Sequence, residues 1–256
     1  MKNTPATNPA KILVIDVGGT HIKILASGHT EERKIVSGPA MTAREMVREV
    51  KRLASDWEHA AVSIGYPGPV VHERPLREPY NLGSGWVGFN FRKAFGCPVK
   101  IINDAAMQAL GSYEGGRMLF LGLGTGLGSA MIADTIIQPM ELAHLPYKKK
   151  TYEDYLGLRG LKRMGVKKWR RHVVDVVDTL RNALQADYVV LGGGNVKKLK
   201  KLPRKTRPGD NRNAILGGFR LWAPAYAADL KGISAQVDRG AERGQTQRTA
   251  SVSLGE

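Results

Sequence analysis

The chain contains a single cysteine and no long apolar run, and each of these shortages excludes a class of protein. Cys97 alone cannot form an intrachain disulfide or a metal site built from several cysteines. No stretch comes near the roughly 20 consecutive apolar residues that a membrane-spanning helix needs. The first residues, MKNTPATNPA, carry one lysine and no apolar centre, which is not the pattern of a secretory signal. We therefore expect a cytoplasmic protein that does not bind a membrane.

Acidic residues are scarce relative to basic ones, and the excess of positive charge lies mainly in one part of the chain. The formal net charge is +16 over 256 residues. Positions 145–207 hold 18 lysines and arginines against 5 aspartates and glutamates, an excess of 13. Such a field concentrates polyanions, and nucleic acid, nucleotides and inorganic polyphosphate all qualify. For any one lysine, a solvated surface position is the simpler interpretation.

The apolar pattern alternates between strands and helices, which is typical of the α/β class. Apolar and β-branched runs predict strands at 11–17, 21–26, 60–65, 99–102, 118–123, 129–133 and 188–191, with a further short one at 136–138. Apolar residues spaced by three and four predict helices after Thr42, at 105–113, over 152–184 with a break near Gly165, and at 213–222. Beyond that break, the predicted core side consists of Val173, Val174, Val177, Leu180 and Leu184.

A strand followed by a glycine-rich turn opens each half of the chain. The first is Asp16-Val17-Gly18-Gly19-Thr20, and the second is Gly122-Leu123-Gly124-Thr125-Gly126. Two similar lobes that face each other would produce this echo, so we predict a two-lobed α/β protein. We place an N-terminal lobe at 11–104, a C-terminal lobe at 105–212 and a helix that returns towards the first lobe at 213–225. Residues 1–10 are interpreted as an extension, and the polar stretch 226–256 as a disordered tail.

Both glycine turns suit an anion. Glycines let the backbone approach a phosphate without a Cβ in the way, and their amides are donors. In the first turn Thr20 adds a hydroxyl, Lys23 a positive charge, and Asp16 a carboxylate able to hold a metal-bound water. The second turn does not match the Walker pattern, and no helix follows it as in a dinucleotide fingerprint. Either turn alone is consistent with an ordinary hairpin, but two of them at strand ends favour phosphate binding.

Asn103 and Asp104 directly follow a predicted strand. A carboxylate at the end of a strand in an α/β cleft is well placed to accept a proton from a hydroxyl. The alternative is an ordinary helix cap. Farther along, Glu141 and His144 lie three positions apart and Glu153 follows, and such carboxylate and imidazole groups can bind adjacent sugar hydroxyls. The alternatives are a structural histidine and a glutamate that favours a helix N-terminus.

The order of these elements resembles the ROK family of sugar kinases, and within it the bacterial polyphosphate glucokinases. The matching segments, spread over residues 11–222, are Asp16-x-Gly18-Gly19-Thr20-x-x-Lys23, Gly65-Tyr66-Pro67-Gly68-Pro69, Asn81 with Trp86, Asn103-Asp104-Ala105, Gly122-x-Gly124-Thr125-Gly126-x-Gly128-Ser129, Glu141-x-x-His144 and Leu191-Gly192-Gly193-Gly194. No single segment is specific, but their order is. The resemblance implies the actin-like ATPase fold, a ribonuclease H-like fold with two lobes around a central cleft. It also implies a hexose kinase that phosphorylates the sugar 6-hydroxyl.

The resemblance further implies a role for each matching position. Asp104 would be the base that takes the proton from the 6-hydroxyl. The hexose, with glucose the first candidate, would be held by Asn81, Asn103, Glu141, His144 and Glu153. The donor phosphates would be clamped by Asp16, Gly18, Gly19, Thr20, Lys23, Gly124, Thr125 and Gly126. Asp16 would serve a Mg²⁺ ion through water, and Gly192, Gly193 and Gly194 would border the adenosine of a nucleotide.

Two departures from the family pattern matter. Many relatives carry a zinc site with three cysteines before the last sugar-binding glutamate, whereas positions 146–153 here hold no cysteine, so no zinc is expected. Polyphosphate-type relatives also lack that site. Ala143 stands where the family has a glycine between Glu141 and His144, which bears on the identity of the sugar rather than on the fold. A homodimer would be usual for the family.

The donor and the class of protein both have alternatives. Inorganic polyphosphate needs a basic strip beside the cleft, which positions 145–207 would supply if they face it, and ATP needs a local pocket; we expect one or both. A sugar-sensing ROK regulator would carry a helix-turn-helix, for which we see no room before the first strand. A nucleic-acid-binding module fits the charge, but the basic stretches lack interleaved aromatics beyond Trp169. An actin-like scaffold that hydrolyses ATP would leave Glu141, His144 and Glu153 unexplained.

Overall fold

The computed structural model describes residues 11–210 and 212–223, in which strands and helices alternate. The strands are β1 (Ile12–Val17), β2 (His21–Ala26), β3 (Arg33–Val36), β4 (Ala61–Tyr66), β5 (Val70–Val71), β6 (Arg74–Pro75), β7 (Val99–Asn103), β8 (Met118–Leu123), β9 (Leu127–Ala133), β10 (Ile136–Met140), β11 (Pro146–Tyr147), β12 (Lys150–Thr151), β13 (Tyr188–Gly192) and β14 (Thr206–Pro208). The longer strands carry the apolar and β-branched runs that the sequence singles out.

Two five-stranded sheets share one topology. Their strand orders are β3-β2-β1-β4-β7 and β10-β9-β8-β13-β14. In the first sheet β1 pairs antiparallel with β2 and parallel with β4, and β4 pairs parallel with β7. In the second, β8 pairs antiparallel with β9 and parallel with β13, which pairs parallel with β14. The repeated topology explains why a strand followed by a glycine turn occurs in each half of the sequence. It also confirms the α/β prediction.

The helices are α1 (Ala43–Leu53), α2 (Phe91–Phe95), α3 (Asp104–Ser112), α4 (Tyr152–Leu156), α5 (Leu158–Ala183) and α6 (Asn213–Arg220), with 3₁₀ helices at Leu142–His144 and Val196–Lys198. The first one begins where the sequence indicates. The side chain of Thr42 accepts from Glu45 N, and the side chain of Glu45 accepts from Thr42 N, which makes a capping box. Within the described residues, no helix has the length and apolarity to cross a bilayer.

The helical region after Thr151 is interrupted twice rather than once. α4 ends before Gly157, whose ψ of 173° is extended, and α5 has the predicted break at Gly165, whose φ is 74°. Beyond the break the buried residues are Trp169, Val173, Val176, Val177 and Leu180. Val174 is 41% exposed. Its prediction as a core residue is wrong because the spacing of three and four runs through Val176 instead.

Helix α3 lies between the two sheets and crosses α6 at glycines. It contacts β4 and β7 of the first sheet and β8 and β9 of the second. A Cβ atom on Gly111 of α3 would lie 1.8 Å from Asn213 O, and one on Gly217 of α6 would lie 1.8 Å from Met107 O. Because the two backbones approach so closely, neither position has room for a side chain.

Helix α6 is fixed to the first sheet by hydrogen bonds to its carbonyls. The Ser63 hydroxyl of β4 donates to Gly218 O at 2.6 Å, and the Lys100 ammonium of β7 donates to Leu221 O at 2.7 Å. A Cβ atom on Gly218 would lie 2.2 Å from Val14 Cγ1 of β1. The C-terminal helix therefore holds α3 and the first sheet together.

Several short elements had no counterpart in the sequence predictions. They are β3, α2, β14 and the two-stranded ladders β5–β6 and β11–β12. The predicted extension 1–10 and tail 226–256 lie outside the described residues, as does the end of the predicted segment 213–225.

Candidate active site

The first glycine turn joins β1 to β2. The Gly18 N–H donates to His21 O at 3.1 Å, and a Cβ atom at Gly18 would lie 2.7 Å from that oxygen. The Ser37 hydroxyl holds the other side of the turn by donating to Gly18 O at 2.7 Å. The N–H groups of Gly19 and Thr20 donate to no other residue in the described part of the chain. The tip of the turn therefore presents two amides that are available to an anion.

Asp16 lies at the end of β1, where its strand partners set its neighbours. It is opposite Lys23 on β2 and opposite Gly65 on β4. Burial raises the pKa of Asp16 to about 6, while the charge of Lys23 lowers it and that of Glu32 raises it. Because the effect of burial prevails, a cation near Asp16 would stabilise its ionised form.

The loop after β6 brings Asn81 onto the first turn. A Cβ atom at Gly19 would lie 3.1 Å from Asn81 Cβ. The fully buried Trp86 fixes this loop, since its backbone N–H donates to Glu78 Oε2 at 3.0 Å and its indole N–H donates to Met41 O at 3.3 Å. A predicted sugar-binding residue thus lies next to a predicted phosphate-binding one.

Strand β7 ends at Asn103, and α3 begins at Asp104. The Asn103 Oδ1 accepts from Ala106 N at 3.1 Å, so the helix cap that the sequence offered as an alternative is present. Its Nδ2 donates to Gly68 O at 3.1 Å and holds the loop after β4. The partly exposed Asp104 side chain accepts from Ala105 N at 2.7 Å.

Two glycines make room for this end of α3 between the sheets. A Cβ atom at Gly65 would lie 2.3 Å from Met107 Cε and 3.7 Å from Asp104 Cα. One at Gly128 would lie 2.8 Å from Ala105 Cβ. The Asp104 end of α3 therefore lies where β4 of the first sheet and β9 of the second approach each other.

Three carboxylates share the space in front of α3. Burial, together with the charges of Asp16 and Glu141, raises the pKa of Asp104 to about 7, although the hydrogen bond from Ala105 N opposes the shift. A base whose pKa is close to neutral both accepts and releases protons readily. The charge effects on Asp104 indicate that the end of β1 and the segment after β10 lie near the start of α3.

The second glycine turn joins β8 to β9 and is held through its carbonyl groups. The Asn195 amide donates to Gly124 O at 3.0 Å, and the Leu158 N–H donates to Thr125 O at 3.1 Å. The Gly124 N–H donates across the turn to Gly126 O at 3.2 Å. In residues 11–210 and 212–223, the N–H groups of Thr125 and Gly126 have no acceptor. This turn, like the first, presents two available amides at its tip.

Glu153 lies in the first turn of α4 and touches the second glycine turn. Its Oε2 accepts from Leu127 N at 3.3 Å, and a Cβ atom at Gly126 would lie 2.5 Å from that oxygen. Its Oε1 accepts from the Arg159 guanidinium at 3.3 Å. The predicted sugar-binding glutamate is therefore beside the predicted phosphate-binding glycines.

Glu141 and His144 lie before and at the end of the 3₁₀ helix. The Ser129 hydroxyl fixes this segment by accepting from Leu142 N at 3.2 Å. Both predicted sugar-binding side chains are exposed, and neither bonds another side chain among the described residues. Ala143 is 4% exposed and belongs to the core of the second sheet. Its methyl group packs inward and does not enter the site.

Strand β13 ends in three glycines beside the second turn. Gly193 has a φ of 86°, and a Cβ atom there would lie 2.5 Å from Leu123 O. A Cβ atom at Gly194 would meet nothing within 4 Å. A Cβ atom at Gly192 would lie 2.5 Å from Phe120 Cζ. The predicted nucleotide segment thus borders the second turn, with open space at Gly194.

Three side chains that hold the site were not predicted. Asn195 follows the glycine run directly, and an asparagine after a strand end often bonds turn carbonyls, so its position was a usable signal. Ser37, the residue after β3, reaches Gly18, and Arg159 reaches Glu153 from α5. These two have no local signal, because their contacts depend on how distant segments fold together.

A cavity of about 640 Å³ lies elsewhere on the molecule. It is lined by residues 72–76 and 87–92 with Val99 and Ile101, and contains none of the predicted site residues. Large cavities are the usual first candidates for a site. Here the convergence of polar groups around Asp104 is the stronger indication.

Asp16 is the residue that best fits a metal ion. Within the described residues, no group of three or more His, Cys, Asp or Glu side chains is arranged to hold one. Mg²⁺ is usually bound by one or two carboxylates together with water and substrate phosphates. A half-buried carboxylate beside a glycine turn, with a second carboxylate at Asp104, fits that kind of site.

Similarity to known proteins extends over most of the described chain. The model of the ROK family matches residues 12–139, half of the chain. The polyphosphate glucokinase of Mycobacterium tuberculosis is 28% identical over 209 residues, which cover 73% of this chain and 78% of that protein. The crystal structure of an inorganic polyphosphate/ATP-glucomannokinase from Arthrobacter sp. strain KM has a TM-score of 0.71 at 22% identity, and the match covers 83% of this chain and 98% of that one.

A third similarity is to a ROK family transcriptional regulator, a homologue of the E. coli MLC protein. Its TM-score is 0.67 at 15% identity, over 84% of this chain and 78% of that one. The structural matches confirm the predicted actin-like ATPase fold. They include a kinase and a regulator, so the fold does not by itself decide the function.

Proposed function

The chain belongs to the ROK family, and on that premise we propose that it is a hexose kinase of the glucokinase type. It phosphorylates the 6-hydroxyl of the sugar and uses inorganic polyphosphate, ATP or both as donor. The M. tuberculosis relative is a polyphosphate glucokinase, and the Arthrobacter structure is a polyphosphate/ATP-glucomannokinase. Both names support a sugar kinase and leave the sugar and the donor of this chain to experiment.

One arrangement carries the proposal. The two glycine turns each present a pair of available amides, and α3 begins between their sheets with Asp104. Phosphoryl transfer asks a protein mainly to position the reactants and neutralise charge, and such amides serve both purposes. A carboxylate with a pKa of about 7 at that place is suited to take the proton of an attacking hydroxyl.

In the proposed phosphoryl transfer, each group of site residues has its own role. The amides of the two turns hold the donor phosphates, with Lys23 offsetting part of their charge. The sugar is oriented by hydrogen bonds to the predicted set Asn81, Asn103, Glu141, His144 and Glu153. As the 6-oxygen forms its bond to phosphorus, its proton passes to Asp104, and the bridging oxygen of the donor leaves with its bonding electrons.

Mg²⁺ fits beside Asp16 in this scheme. When bound, the ion would offset negative charge on the donor phosphates. Asp16 would hold it through water. Its own raised pKa, caused mainly by burial, would fall as the ion replaces the missing solvation.

Basic residues next to the second turn support an extended anionic donor. Arg159 follows the segment that bonds the turn, and its side chain is 75% exposed. Lys197 and Lys198 follow Asn195, which bonds Gly124, and both are exposed. A polyphosphate chain has no base to recognise, so a row of exposed cations that continues from the turn would hold it by charge.

The test is a coupled assay of sugar phosphate formation with purified protein, Mg²⁺ and each donor, across glucose, mannose and N-acetylated hexosamines. We expect turnover with at least one hexose and at least one of the two donors. Asp104→Asn should lower kcat by about 10²–10⁴-fold while hexose binding persists. Asp134→Asn, a change of the same kind at an exposed hairpin position with a φ of 51°, is the matched control and should keep normal turnover.

A sugar-binding regulator is the second candidate, because the ROK regulator matches the same fold with a TM-score of 0.67. It would bind a hexose with no phosphoryl transfer from either donor. Calorimetric binding of the sugar together with absent turnover would favour it. Near-normal turnover in Asp104→Asn would instead remove Asp104 from the mechanism.

A further inference from the structure

A cluster of four aromatic rings connects the β11–β12 hairpin to the helices that follow it. Tyr147 on β11 packs against Tyr152 at 5.2 Å, Tyr155 at 5.0 Å and His172 of α5 at 5.7 Å between ring centroids. The rings of Tyr155 and His172 are 4.8 Å apart. Tyr147 is therefore the member that contacts each of the other three.

The Tyr147 hydroxyl adds two polar contacts to α5. It donates to Asp175 Oδ2 at 2.5 Å and lies 2.9 Å from His172 Nδ1. Since a phenol has one hydrogen, the Asp175 carboxylate receives it, and the His172 Nδ1–H donates to the Tyr147 oxygen. Burial and the bond to Asp175 both raise the pKa of Tyr147, so the hydroxyl stays protonated and keeps its donor.

The hairpin that Tyr147 anchors lies between two predicted sugar-binding residues. His144 ends the 3₁₀ helix just before it, and Glu153 lies in the first turn of α4 just after it. The Tyr152 N–H donates to Leu145 O at 3.1 Å and closes the base of the hairpin. A displacement of the hairpin would therefore move His144 and Glu153 together.

We propose that Tyr147 is a positioning residue of the sugar site, which fixes the β11–β12 hairpin on α5 and thereby holds His144 and Glu153 in place. The expected effect of Tyr147 on kinetics rests on the hexose kinase activity proposed above. Its expected effect on the stability of the hairpin does not, because the contacts of Tyr147 with α5 exist whatever the chain catalyses.

The first experiment removes the hydroxyl and keeps the ring. Tyr147→Phe should raise KM for the hexose about five- to tenfold, which is within the range of one ordinary hydrogen bond. The kcat and the KM for the donor should stay unchanged, which separates a positioning role from a general loss of structure. Tyr188→Phe is the control, because Tyr188 also uses its hydroxyl in one hydrogen bond, accepting from Glu114 N at 3.2 Å, and lies on β13 away from the hairpin.

A second measurement does not depend on activity. Hydrogen exchange of the backbone amides of residues 145–152 should be faster in Tyr147→Phe, and in Asp175→Ala, than in wild type or Tyr188→Phe. Asp175 is 53% exposed, so its loss should leave the fold intact. If wild type phosphorylates no hexose, the proposed function fails and hydrogen exchange alone decides the role of Tyr147. Unchanged exchange in both variants, or a fall in kcat with an unchanged hexose KM, would overturn the proposal.

Discussion

The Cβ of Ala105 lies 2.8 Å from the place that a Cβ atom on Gly128 would occupy, so the helix that begins with Asp104 touches the second glycine hairpin at bare backbone. The predicted base and the predicted donor turn are thereby held at a fixed separation by a contact that has no adjustable side chain on one side. Rigid contacts of this kind are the ones through which small shifts reach the chemistry.

Gly128→Ala should therefore cost activity. The added methyl group would push α3 or β9 aside, and a misplacement of about 1 Å can cost about 10²-fold in kcat. Overpacking should also lower the free energy of unfolding by about 1–3 kcal/mol. Steady-state kinetics and denaturant unfolding measure the two effects.

Gly124→Ala makes the same chemical change where a Cβ atom would meet nothing within 4 Å. Its free energy of unfolding should stay within about 0.5 kcal/mol of wild type. Because Gly124 belongs to the donor turn, any kinetic effect should fall on the KM for the donor. Equal losses of kcat in the two variants would show that the contact with Ala105 is unimportant.

Asp104→Asn should stabilise the fold at neutral pH although it removes the base. The folded protein binds the Asp104 proton with a pKa of about 7 against an ordinary value of 3.8. A raised carboxyl pKa means that the free energy of unfolding falls as the pH rises from about 4 to about 7 and is lowest above 7. Asparagine keeps an acceptor for Ala105 N–H but carries no charge, so it avoids that loss.

The gain should be about 1–2 kcal/mol at pH 8, less than the full pKa difference implies because Asp104 is partly exposed. It should vanish at about pH 3, below the ordinary value of 3.8, where the carboxyl of both folded and unfolded wild type is largely protonated. Chemical denaturation at the two pH values measures it, with Asp134→Asn as control. A variant less stable than wild type at pH 8 would contradict the burial of charge at Asp104.

The activity should depend on pH through the same group. The kcat/KM should decline as the pH falls below about 7, because protonated Asp104 cannot accept the hydroxyl proton. The charge of Glu141 helps to raise this pKa. In Glu141→Gln the acidic limb of the pH profile of kcat/KM should consequently move to lower pH, whatever happens to the hexose KM. A limb that stays in place would show that Glu141 does not face Asp104 in the working enzyme.

The sequence predicted the parts of the fold that rest on local patterns. The predicted helix cap at Thr42 is present at the start of α1, and each apolar run ends in a strand before its glycine turn. These features arise within a few residues, so a single sequence reveals them. The repeated topology of the two sheets was also visible in the sequence, because each sheet has its own glycine turn after a strand.

Other parts arise from pairing between distant segments. β3 is Arg-Lys-Ile-Val with one buried residue, and it becomes a strand because β2 offers it an edge. β14 contains Pro208, which argues against a strand until β13 supplies a parallel partner. Likewise, Asn81 reaches Gly19 and Glu153 reaches Gly126 only in the folded chain. Asn81 and Glu153 were predicted as site residues through the family resemblance. Their contacts with the glycine turns were not predictable from local spacing.

The basic surface beside the second turn gives the last prediction. Replacing both Lys197 and Lys198 with glutamine should raise the KM for long-chain polyphosphate several-fold and leave the KM for ATP and for the hexose unchanged. On the proposed path an extended anion would pass over these exposed cations beyond the turn, whereas the compact triphosphate would end before them. The effect should shrink as salt rises, because the Debye length falls to about 3 Å at 1 M.

The matched control is the same double change at Lys34 and Lys51, which are exposed on the first sheet and on α1. It removes equal charge from the molecule but none from beside the turn, so it tests whether net charge alone attracts the donor. Comparable losses with polyphosphate in both double variants would mean that the field of the whole protein matters and that no path follows the 3₁₀ helix Val196–Lys198. An effect confined to Lys197 and Lys198, present with polyphosphate and absent with ATP, would place the extended donor on that helix.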